Sequence, residues 1–158
     1  VFTKGVRSPK NFMNFFKETE NIEFHWYVND DSKNEIASHN KELNSIFHSI
    51  VEREEALKLM AGSFHCLVSI GNLNTTQIPS KVIEYISTGK PVIHFCEVEN
   101  DPVKNIANEF QNLFIISETS NKENLLNQLN SFYKDISTFN KELFIEKYTS
   151  NSITEILD

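Results

Sequence analysis

Two short apolar runs, residues 65–70 and 92–95, bracket a polar loop and a helical pattern, and this stretch most constrains the fold. His65-Cys66-Leu67-Val68-Ser69-Ile70 and Val92-Ile93-His94-Phe95 are each short and apolar enough for a buried strand. Between them the helical pattern opens at Pro79 and stops at Gly89-Lys90-Pro91. Strand, helix and strand in so little chain make a βαβ unit, whose two strands run parallel.

The helix start carries the first functional signal. With Pro79 at the first helical position, the cap falls to Ile78, which has no side-chain acceptor. The N–H groups of Ser80 and Lys81 then lack a local partner. An uncapped helix start at the carboxyl end of a parallel strand suits an anion, and Lys81 adds positive charge there. Ser80, Lys81, Glu84 and Thr88 share one helical face, while Val82, Ile83 and Ile86 lie toward the core side. Glu84 sits about one turn, roughly 5 Å, further along the axis. That offset suits a carboxylate accepting hydrogen bonds from a ribose diol while the helix start holds a diphosphate. A glutamate on a helix face is most often only solvated. The bare helix start, the lysine and the polar loop together favour the ligand-binding reading.

Pro79-Ser80-Lys81-Val82-Ile83-Glu84-Tyr85-Ile86-Ser87-Thr88-Gly89-Lys90-Pro91-Val92-Ile93 resembles the donor-site motif of glycosyltransferases with the GT-B fold. The likeness is strongest to family-four enzymes that build bacterial polysaccharides. It implies a donor-binding helix start at Pro79, with Ser80 and Lys81 holding the diphosphate of a nucleotide sugar and Glu84 the ribose. Residues 72–77, among them Asn72, Asn74, Thr75, Thr76 and Gln77, would face the sugar or base. Thr76 stands where many family members carry another glutamate, which contacts the transferred sugar. The resemblance also implies retention of anomeric configuration, no metal and no resident cofactor.

The remaining chain alternates strands and helices, which calls for a Rossmann-like parallel sheet with helices on both faces, one half of a GT-B fold. Ser8 and Pro9 start a helix whose buried stripe is Phe12, Phe15 and Phe16. Strands are predicted at residues 22–28, 46–51 and 112–116. A long connection at 29–45 has room for a short helix, and a helix at 53–61 turns Ala56, Leu57 and Met60 inward. Further helices are predicted at 102–110, at 121–136 with Leu125, Leu126, Leu129 and Phe132 inward, and at 140–157. The short opening Val1-Phe2-Thr3, followed by a loop, reads as a domain entered part-way through its first unit. By the same resemblance Lys4 and Arg7 in that loop are candidates to neutralise charge on the leaving diphosphate, and Gly5 lets the backbone approach.

At 158 residues the expectation is a single nucleotide-sugar-binding domain spanning residues 1–158, the C-terminal fragment of a two-domain enzyme. Apolar content of 39% and 13 phenylalanines support a packed core. A net charge of −7 argues against a nucleic-acid surface. No apolar run is long enough to cross a bilayer. The expected location is cytoplasmic, peripheral at the inner face of the membrane where the missing half makes contact. The two cysteines, Cys66 and Cys96, read as free core thiols, and the five histidines show no metal-ligand spacing. With four glycines in all, there is neither a Gly-x-Gly-x-x-Gly nor a phosphate-cradling Gly-Lys-Ser/Thr loop.

The expected function is therefore donor binding in an enzyme that transfers a sugar from a nucleotide diphosphate sugar to a glycan or lipid-linked acceptor. The partners implied are the nucleotide sugar, that acceptor and the missing N-terminal acceptor-binding domain. Two alternatives share the architecture: half of a nucleotide-sugar epimerase, and a non-catalytic interaction domain.

Overall fold

The computed structural model describes Phe2, residues 6–17, Thr19, residues 22–39 and residues 43–134. Lys4, Gly5 and the helical stretch expected at 140–157 lie outside the described residues.

Helix α1 (Lys10–Phe16) begins beside Ser8, whose hydroxyl accepts the Lys10 N–H at 3.3 Å. It buries Phe12, Met13, Phe15 and Phe16, the expected stripe with one methionine added. Strands β1 (Phe24–Tyr27) and β2 (Ser45–His48) pair in parallel and are joined by α2 (Asp30–His39). After α3 (Arg53–Gly62) come β3 (Leu67–Ile70), α4 (Ser80–Ile86), β4 (Val92–Phe95), α5 (Lys104–Ala107), β5 (Leu113–Ile116) and α6 (Lys122–Lys134). Strands β3, β4 and β5 pair side by side, all parallel, with Leu67 opposite Val92 and Val92 opposite Leu113. The fold is a Rossmann-like α/β arrangement, and the βαβ unit expected around Pro79 is β3–α4–β4.

One detail differs from a single continuous sheet. The described strands form two sheets, β1-β2 and β3-β4-β5. The N-terminal segment touches both. Phe2 packs edge-on against Trp26 of β1 and donates its N–H to Ser32, while the Val6 carbonyl accepts the Leu73 N–H just beyond β3.

Strand alternation sends side chains into two apolar layers. Phe24, Trp26, Ile70, Ile93, Phe95 and Ile116 meet the α1 phenylalanines, Ile36 and Leu125, so one core runs beneath both sheets. Leu67, Val92 and Leu113 meet Met60, Val82, Ile86, Val103 and Phe110 on the other face. Phe12 joins the sheets directly, with its ring edge-on to Phe24, Trp26 and Phe95. It is fully buried, and truncating such a phenylalanine costs about 3–5 kcal/mol.

Leu57 and Leu126 depart from expectation, at 40% and 37% exposed. In α3 the buried line runs through Met60, with Ala56 packed beside it. In α6 it runs through Leu125 and Leu129 at four-residue spacing. Gly89 ends the α4 turn with φ 74°, a left-handed conformation that glycine adopts without strain.

Candidate functional site

The loop after β3 is fastened by one buried amide. Gly71 leaves the strand with its N–H on the Phe95 carbonyl at 2.8 Å. A Cβ there would collide with Asp101 Oδ2 and lie 3.1 Å from the Phe95 oxygen, so a larger residue forces the buried Asp101 side chain to move. Asn72 follows at 5% exposure. Its Oδ1 accepts Arg7 Nη2 at 2.6 Å and Arg7 Nε at 3.2 Å, and its Nδ2 donates to the Gln77 carbonyl at 3.2 Å. One side chain thus closes the 72–77 loop and fastens the N-terminal segment to it. Asn74 Oδ1 accepts the Thr76 N–H at 3.4 Å inside the loop. The side chains of Leu73, Asn74, Thr75, Thr76 and Gln77 are exposed along its rim.

Helix α4 begins one residue later than its sequence suggests. Pro79, with ψ 120°, occupies the cap position, so Ile78 is not the cap, and no side chain caps the helix. Proline carries no N–H, so the chain can leave the loop extended and turn helical at Ser80. Ser80 and Lys81 are exposed, and Glu84 is half-buried. Lys81 Nζ forms an ion pair with Glu84 across three residues of the helix.

Tyr85 feels the charge of both Glu84 and Arg7. Burial raises its hydroxyl pKa, with the Glu84 charge adding to the rise and Arg7 opposing it. Burial lowers the Arg7 guanidinium, with Tyr85 opposing. Among the described residues Asn72 contacts both Arg7 and Gln77, Lys81 and Glu84 form a second group, and Tyr85 interacts with Arg7 and Glu84. Nothing in the motif spacing exposed the Arg7–Asn72 bond, because it spans 65 residues of chain.

Glu97 opens the acidic loop just past β4. Its Oε2 accepts Asn11 Nδ2 at 2.8 Å, and its Oε1 is buried without a partner. Burial raises its pKa, partly offset by the Asn11 hydrogen bond. A carboxyl group at this end of a parallel sheet falls where such folds bind ligands.

A second cluster corrects the view that the histidines and cysteines lack ligand spacing. His94 and Cys96 are two residues apart at the end of β4, so they share a side of the strand. Asp101 folds back onto them: its Oδ2 meets His94 Nε2 at 3.1 Å and its Oδ1 accepts the Val103 N–H at 2.9 Å. All three are buried, with one ligand atom from each within 4.8 Å of the others, and could hold a metal ion. His94 Nδ1 has no partner. Burial would raise the Asp101 carboxyl, but the His94 and Val103 hydrogen bonds outweigh it and leave its pKa below the ordinary value. Burial, reinforced by Asp101, pushes the Cys96 thiol up to about 12.

A recess of about 280 Å³ lies at the other edge of the sheet, lined by Phe64, His65, Lys90, Pro91 and Tyr133 among others. It sits at the amino ends of β3 and β4, away from the 72–77 loop.

No protein-family model, curated protein or solved structure matches this chain. No helix among the described residues is long and apolar enough to cross a membrane.

Proposed function

We propose that this chain is the donor-binding half of a GT-B glycosyltransferase that uses a nucleotide diphosphate sugar. The observation that carries this reading is the fastening of Arg7 to Asn72. It sets a permanent cation beside a polar loop at the carboxyl end of β3, where parallel sheets take their ligands. The diphosphate lies between Arg7 and the start of α4, with Ser80 and Lys81 donating to it. Glu84 is released from Lys81 as the phosphates take that lysine over, and it then accepts from the ribose hydroxyls. Arg7 neutralises charge that grows on the diphosphate as the sugar leaves, an effect strongest in the transition state. Leu73 and the 74–77 rim face the sugar or base. The acceptor, a glycan or a lipid-linked glycan, comes to the other half of the enzyme, as does any contact with the inner face of the membrane.

Calorimetric titration with UDP, GDP, CMP and ADP tests the reading. One of these binds, and Arg7→Ala abolishes the binding. If none binds to this chain or to the full-length protein, the fold serves as a non-catalytic interaction domain. The Lys81–Glu84 ion pair, in which the two groups satisfy each other, fits that second reading.

A further inference from the structure

The three buried side chains at the end of β4 have no part in nucleotide binding. We propose that His94, Cys96 and Asp101 form a three-ligand site for a zinc-like divalent cation, with a fourth position filled by water. The set joins one imidazole, one thiol and one carboxyl, the mixture of nitrogen, sulfur and oxygen that zinc favours and that magnesium or calcium does not.

The geometry is close to what such an ion requires. Tetrahedral zinc holds its ligand atoms roughly 3.3–3.8 Å apart, given bonds of about 2.0–2.3 Å. His94 Nε2 and Asp101 Oδ2 are already 3.1 Å apart, and no pair in the set exceeds 4.8 Å. Contraction by about 1 Å completes the fit. Cys96 lies just outside the strand, and the turn that follows exposes Glu99 and Asn100.

An ion bound by His94 Nε2 takes the place of the proton shared between that nitrogen and Asp101 Oδ2. The ring then carries its proton on Nδ1, which has no partner among the described residues. Charge also balances. The thiol releases its proton on binding, and the thiolate and Asp101 carboxylate together offset the two positive charges of the ion. A hydrolytic Cys–His–Asp arrangement fails on access, since His94 is fully buried and Cys96 is 5% exposed.

Bound metal would fix the turn from β4 to α5 and, through Asp101, the floor under Gly71.

Cobalt(II) titration of the metal-free protein tests the site. We expect one equivalent to bind with a thiolate-to-cobalt charge-transfer band and the strong visible absorption of a tetrahedral site. The chain has two cysteines, so a band that survives Cys66→Ser belongs to Cys96 even if a Cys96 variant does not fold. Asp101→Asn, checked for native circular dichroism, should weaken cobalt binding by roughly ten-fold or more. Zinc alone should raise Tm in wild type and in Cys66→Ser. Absence of the band in wild type, or its loss in folded Cys66→Ser, overturns the proposal.

Discussion

Replacing Asn72 with alanine removes the one side chain that joins the N-terminal segment to the 72–77 loop. Two interactions are lost. The bond from the Arg7 guanidinium has a charged donor and is worth about 1.5–3 kcal/mol, while the neutral bond to the Gln77 carbonyl is worth about 0.5–1.5 kcal/mol. Arg7 is half-buried and recovers part of its loss by turning to water, which brings the expected destabilisation to about 2–3 kcal/mol. For a chain of 158 residues this lowers Tm by about 4–12 °C, at about 2–4 °C per kcal/mol. Calorimetric melting of wild type, Asn72→Ala, Arg7→Ala and the double variant completes a cycle. The direct contact predicts a coupling of about 1–2 kcal/mol between the two sites. Additive effects, with coupling below about 0.5 kcal/mol, would mean that Arg7 is not held by Asn72 and that the clamp does not exist.

Other consequences can be checked in parallel. Gly71→Ala drives a methyl group into Asp101 Oδ2 and the Phe95 carbonyl, and should destabilise the fold by about 1–3 kcal/mol in chemical denaturation. An unchanged midpoint would show that the turn gives way freely. Glu84→Gln should weaken nucleoside diphosphate binding by about 1–3 kcal/mol, roughly five- to 150-fold in Kd. Unaltered affinity removes the ribose assignment. Burial pushes the Cys66 thiol up to about 12, so the folded state keeps a proton that the unfolded chain loses near about 8.5. Stability therefore falls as pH rises through that lower value, and Cys66→Ala should flatten the slope of Tm between about pH 8 and pH 10. Equal slopes would refute the shift.

Much of the scaffold was legible because it depends on short-range rules. The phenylalanine stripe of α1, the apolar run of β4 and the Gly89 stop are local patterns, and each appears where the spacing places it. The α4 cap moved by one residue because a proline can occupy the cap as readily as the first turn. Leu57 and Leu126 misled because neighbouring apolar residues in a helix point in different directions, and only the packed partner decides which is buried. The candidate site was legible only in part. Ser80, Lys81 and Glu84 lie on one short helix, so their shared face follows from its period. Arg7 reaches Asn72, and Asn11 reaches Glu97, across chain separations that no periodicity encodes. The His94 and Cys96 spacing was readable from the strand period, but Asp101 joins them through a turn whose direction the sequence does not state.

The most direct test of the donor-site account is amide and side-chain chemical-shift mapping of the isotope-labelled chain during titration with UDP and with GDP. The account predicts that one of them shifts the signals of Leu73, Thr76, Ser80, Lys81 and Glu84 together with the Arg7 Nε–H. Shifts confined to Phe64, Lys90 and Tyr133 at the opposite edge of the sheet, or none with either nucleotide, would contradict it.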